Sequence, residues 1–223
     1  MNLDERALLV KLSISTWSAR KTDKEVSREI TEQKDARSDR GTFRKVLISR
    51  DALKKIQKVE TAARTTHRTL TLPWNDDGAR IITTEGYGHY AKVMRDYRKS
   101  MQDAVDEFLE GYDDLVKQAK TELGKLFNAE DYPAPEEIRA KFNFEVEPTQ
   151  IPVSRDFRAK VSASDAKAIA KDIEARTKAR MDHAVKDVWR RVAELTERMF
   201  TRLQEYKPRE GLHGAEGVFS IEE

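Results

Sequence analysis

The first residues to ask about chemistry are the four histidines, His67, His89, His183 and His213, because imidazole serves as both general base and metal ligand. None has a second ligand at the HExxH interval or at another helical spacing, so no metal site is supported. His183 stands next to Asp182 in a helical stretch, where a solvated side chain is the simpler reading. Gly86-Tyr87-Gly88 has no third glycine, and Gly211-Leu212-His213-Gly214-Ala215-Glu216-Gly217 lacks the Lys-Ser/Thr of a phosphate loop. No Gly-x-Ser-x-Gly elbow occurs. No catalytic, cofactor-binding or metal-ligating residue is assigned, and a non-enzymatic protein without cofactor is expected.

Two charged clusters are more informative. Asp103, Asp106, Glu107, Glu110, Asp113 and Asp114 are six acids at helical spacing with no base among them. Such a run can hold cations or supply carboxylates, but beside an apolar stripe it reads better as a solvated face that docks a basic partner. The opposite cluster is Arg44, Lys45, Lys54, Lys55, Lys58, Arg64 and Arg68, with Arg20, Lys21 and Lys24 beside Trp17. Cations near an aromatic ring are what nucleic-acid binding uses, charge for phosphate and ring for stacking. The plainer alternative is an exposed helix face with Trp17 in the core.

The chain has 223 residues, 37% charged and 38% hydrophobic, with no cysteine and a net charge of +2. Without cysteine there are no disulfides, thiolate zinc sites or cysteine nucleophiles, which suits a reducing compartment. No apolar run is long enough for a membrane span, and the first residues lack the pattern of a secretory signal. The near-zero charge is uneven. Residues 1–68 carry 17 Lys+Arg and 10 Asp+Glu, residues 69–140 carry 9 and 15, and residues 141–223 carry 16 and 15. A basic front and an acidic middle can attract each other within one chain or between copies.

The elements that would position these groups follow from periodicity. Val10, Leu12 and Ile14 alternate with polar residues and predict a strand ending near Trp17. Ser18 to Arg40 is charged, with a short exposed helix around Val26 and Ile30 and then a loop. Phe43 to Ile48 predicts a second strand, and Ser49 an N-cap for a helix over 50–68. From Glu85 a stripe from Tyr90 to Leu126 recurs at steps of three and four, about 40 residues or roughly 60 Å of helix, interrupted by Gly111 and Gly124. Phe142, Phe144 and Val146 alternate, as do Phe157, Ala159 and Val161, which predicts a β-hairpin over 142–161. Ser162 and Asp165 form a capping-box-like start for a second long helix to Tyr206, striped by Val185, Val188, Val192, Leu195, Met199, Leu203 and Tyr206.

The fold expected is mainly α with a small β-sheet (α+β). Two long antiparallel amphipathic helices form a coiled-coil-like hairpin joined through the β-hairpin, and the N-terminal strand adds to the sheet. Three regions result: a basic segment at 1–84, the helical hairpin at 85–207 and a flexible tail at 208–223. Seams this narrow need more than one partner, so a homo-oligomer is expected.

Three stretches carry a resemblance. They are Ala7-Leu8-Leu9-Val10-Lys11-Leu12-Ser13-Ile14-Ser15-Thr16-Trp17-Ser18-Ala19-Arg20-Lys21-Thr22-Asp23-Lys24, then Leu72-Pro73-Trp74-Asn75-Asp76-Asp77-Gly78-Ala79-Arg80, then Asn128-Ala129-Glu130-Asp131-Tyr132-Pro133 leading into Phe142-Asn143-Phe144-Glu145-Val146. Together they resemble an uncharacterised family of hypothetical proteins from tailed bacteriophages and prophages. The resemblance implies a phage gene product in the cytoplasm of a bacterial host and transfers no catalytic residue. The function expected is a phage-encoded interaction or assembly protein that self-associates through long helices. The alternative is an accessory in phage DNA replication or recombination that binds single- or double-stranded DNA.

Overall fold

A computed structural model describes residues 3–153 and 162–206. The chain divides into two compact units, Met1–Ala184 and Val185–Glu223.

The first unit opens with a single turn, α1 (Leu3–Arg6), and strand β1 (Ala7–Ser15). A two-stranded ribbon follows, β2 (Arg20–Asp23) and β3 (Phe43–Val46), with α2 (Lys24–Gln33) between its strands. A 3-10 turn at Arg50–Leu53 leads into α3 (Lys54–Leu70). Strands β4 (Leu72–Pro73) and β5 (Ala79–Thr83) precede α4 (Thr84–Glu110) and α5 (Tyr112–Leu123). Then come α6 (Pro135–Arg139), β6 (Asn143–Thr149) and α7 (Ala163–Glu205), of which the part from Val185 onward belongs to the second unit.

The main sheet is antiparallel in the order β4-β5-β1-β6. The expected N-terminal strand is therefore one of its two interior strands, with Leu9 opposite Ile81 on one side and Ile14 opposite Phe144 on the other. Its first half is buried on both faces and its second half on one, as a strand covered by different partners along its length must be. Val10, Ile82 and Phe144 face the larger core with Ile56, Ala63, Tyr90, Met94, Met101 and Phe108 from α3 and α4. Ala7, Leu9 and Ile81 face a smaller one with Trp74, Ile151 and Ala184.

The expected helical hairpin is corrected here. The stripe of α4 is consumed by α3 and the sheet, so one long helix, α7, remains where two paired ones were expected. The long helix expected from Glu85 divides at the two glycines that interrupt its stripe. Gly111 separates α4 from α5, and Gly124, at φ +52°, closes α5 in a left-handed conformation that costs glycine nothing. The helices on either side of residue 84 share one core. Ser49 flanks the 3-10 turn without capping it through its side chain. Of the expected β-hairpin, β6 forms and pairs with β1; Phe157, Ala159 and Val161 lie outside the described residues, as does the 208–223 tail. Strand β2 carries no apolar residue that alternation could detect, and it forms by pairing with β3. Ser162 does cap α7, accepting from the Asp165 N–H at 3.2 Å while its hydroxyl donates to the Asp165 carboxylate at 2.6 Å.

Candidate functional site

Part of each charged cluster is engaged within the fold. Trp17 packs its ring 6.2 Å from those of Phe108 and Tyr112, in the larger core. Lys45 is buried: its ammonium lies 2.5 Å from Asp131 and 3.1 Å from Asp23, and donates to the Leu126 carbonyl at 3.0 Å. Lys21 reaches Asp131 from the exposed side at 2.5 Å. Burial opposes ionisation of Asp131, but hydrogen bonds from Lys21 and Lys45 outweigh it and hold the carboxyl below its ordinary value. Burial likewise opposes the charge on Lys45, and Asp131 and Asp23 overcome it and raise its pKa. Asp23 is lowered first by the Val26 N–H that caps α2 and then by Lys45. The cluster pins the β2–β3 ribbon to the segment after α5.

Arg64 donates to Glu60 at 3.0 Å and to the Ile14 carbonyl at 2.8 Å. Lys55 pairs with Glu107, Arg139 with Asp106, Lys99 with Asp103 at 3.3 Å, and Lys117 with Asp114 at 2.7 Å. Glu110 and Asp113 are exposed on the same face. Arg20 and Arg44 are exposed on one face of the ribbon, while Lys24, Lys54, Lys58 and Arg68 are exposed on their helices.

His67 is a buried core residue, its Nδ1 2.9 Å from the Tyr90 hydroxyl. Burial, then the charges of Arg80, Arg68 and Arg64, push its pKa down to about 4. Burial pushes the Tyr90 phenol up. A cleft of about 540 Å³ between α4 and β6 is floored by Met101, Val105, Phe142 and Phe144, with Arg98 and Arg139 at its rim. Among the described residues, no group of three His, Asp or Glu could hold a metal ion, and no helix is long and apolar enough to cross a membrane.

What stands apart is the second unit. Val185, Val188, Trp189, Val192, Leu195, Met199, Phe200, Leu203 and Tyr206 are all exposed, from 38% at Val188 to 69% at Trp189. Seven of them follow steps of three and four and form one stripe. Trp189 and Phe200 widen it on one flank, and sequence reading missed both. The signal was there: Trp189 stands four residues after Val185, and Phe200 three before Leu203. Four of the unit's charged residues pair within the helix. Asp187 takes Arg190 at 2.5 Å and Arg191 at 2.8 Å, and Arg190 also holds Glu194 at 2.5 Å. Burial opposes the charge on Asp187, and the two arginines overcome it and lower its pKa. What the helix leaves unsatisfied is apolar area.

No curated protein and no solved structure matches this chain. A family model described as a protein of unknown function, DUF3150, matches residues 4–207, which takes in both the mixed core and the open stripe. The chain belongs to that family.

Proposed function

We propose that this chain is a non-enzymatic interaction or assembly protein that self-associates through the apolar stripe of α7. The single observation behind this reading is the row of nine exposed large apolar side chains from Val185 to Tyr206. Water-exposed apolar surface on this scale marks an interaction site, and an isolated helix gains most of its stability from packing such a face. Multi-angle light scattering at micromolar concentration tests it. A multimer is expected, insensitive to salt because the seam is apolar, and Leu195→Glu with Met199→Glu returns it to monomer. A wild-type monomer under these conditions overturns the proposal.

The three stretches resembling tailed-phage proteins support placing this member among phage products of a bacterial cytoplasm. The second reading, binding to single- or double-stranded DNA, rests on Arg20 and Arg44, exposed together on the β2–β3 ribbon. Titration with oligonucleotides at low salt tests it: binding that weakens as salt rises supports it, and no binding disposes of it.

A further inference from the structure

On the reading that α7 self-associates, we infer that its partner is a second copy of the same stripe packed antiparallel. Val185 faces Tyr206 of the second copy, Val188 faces its Leu203, and Val192 faces its Met199.

The argument begins with spacing. From Val185 the stripe advances by three, four, three, four, four and three residues to Tyr206. Read backwards from Tyr206, the same positions fall at the same intervals except at the centre, where Leu195 meets Thr196. A stripe that reads alike in both directions is self-complementary under a two-fold axis across the helix, the isologous arrangement of homodimers. At 3.6 residues per turn, Val185 and Leu203 lie to one side of the stripe's midline and Val188 and Tyr206 to the other. Facing residues of an antiparallel pair then come from opposite sides and interdigitate.

Size decides the direction. The first three positions are all valine; the last three are Met199, Leu203 and Tyr206. Antiparallel packing sets a small side chain against a large one in every layer, so the axes hold one separation, about 8–10 Å. Parallel packing stacks valine on valine at one end and tyrosine on tyrosine at the other, which splays the helices. Trp189 and Phe200 fall on the same flank and cover each other across the antiparallel pair.

Charge sets no barrier. The segment 185–206 carries five Lys+Arg and four Asp+Glu, and Asp187 and Glu194 are engaged within their own helix. Area points the same way: nine large apolar side chains, exposed from 38% to 69%, line one stretch of helix, and a stable interface takes roughly 800 Å² from each partner.

The chain has no cysteine of its own, so single-cysteine cross-linking of the full-length protein reads the geometry directly. Val185→Cys and Tyr206→Cys are made separately, and each is treated with a short bismaleimide alone and as a 1:1 mixture. Both positions are exposed, so neither change disturbs a core. The two sites lie roughly 32 Å apart along one helix, beyond the linker's reach. Cross-linked dimer is expected in the mixture, with each variant alone remaining uncross-linked. Self-linking of either variant alone overturns the inference in favour of parallel packing. No link in any sample, while light scattering of the wild type gives a dimer, overturns the register. A wild-type monomer by scattering overturns the self-association reading itself, and the orientation with it.

Discussion

Two stripes of one chain, on α4 and on α7, have nearly the same spacing and opposite fates. On α4, Tyr90, Met94, Met101, Ala104, Val105 and Phe108 are buried; on α7 the only buried residue described is Ala184, at the end of the first unit. The difference lies in what the chain supplies nearby. α3 carries its own short stripe, Ile56, Val59 and Ala63, and runs directly against α4, while β1, β5 and β6 close the remaining sides. From Val185 onward, the large apolar side chains of the stripe are exposed. Periodicity therefore states that a face must be covered without stating by what. A closed stripe yields folding stability, and an open one is what the proposed self-association draws on.

The contrast breaks first at the buried ion cluster. Asp131→Ala leaves Lys45 buried with Asp23 and the Leu126 carbonyl alone, and stability of the first unit falls by about 3–5 kcal/mol, read from the urea midpoint. Unchanged stability would mean that the ribbon is not held by this cluster. A step smaller, Ile56→Ala empties a fully buried site and costs about 2–5 kcal/mol. Leu195→Ala, by contrast, changes the stability of the first unit by less than about 0.5 kcal/mol while weakening the dimer. Equal effects from the two substitutions would erase the distinction between the stripes.

How much of this was readable in advance differs between the two regions for the same reason. β1, α3, the start of α4 at Glu85 and the Ser162 cap of α7 follow from local rules, alternation, apolar spacing and capping, and they lie within a residue or a turn of where those rules place them. The hairpin of two long helices was not readable correctly, because which stripe covers which is a tertiary fact. Trp17 shows the limit from the other side. Its cationic neighbours suggested a stacking platform, and only the positions of Phe108 and Tyr112 place it in the core. Lys45 likewise reads as a surface cation until Asp131, 86 residues further on, is brought beside it.

The closed core also carries a pH signature that the open stripe lacks. His67 titrates at about 4 in the folded chain and near 6.5 when unfolded. The unfolded chain thus binds the extra proton between those values, and stability falls as pH drops through that window. From pH 7 to pH 5 the loss is about 2 kcal/mol, above the range where Asp23 and Asp131 protonate. Urea midpoints across this range should show the slope, and His67→Gln should flatten it. A slope unchanged in that variant assigns the proton elsewhere.

The smallest effect sharpens the account of the open stripe. Asp187 lies between Arg190 and Arg191 on the exposed helix, and single-turn ion pairs of this kind contribute about 0.3–0.5 kcal/mol each. Asp187→Asn removes both, so helix content measured by circular dichroism should fall slightly and the dimer by light scattering should persist. If the apolar stripe sets association, removing the Asp187 charge leaves it nearly unchanged at 0.5 M salt and weakens it only modestly at low salt, where the +1 of each segment grows to +2. If the variant's dimer instead dissociates at low salt and re-forms at high salt, the Asp187 charge was also offsetting repulsion between the copies, and charge shares with shape the choice of partner.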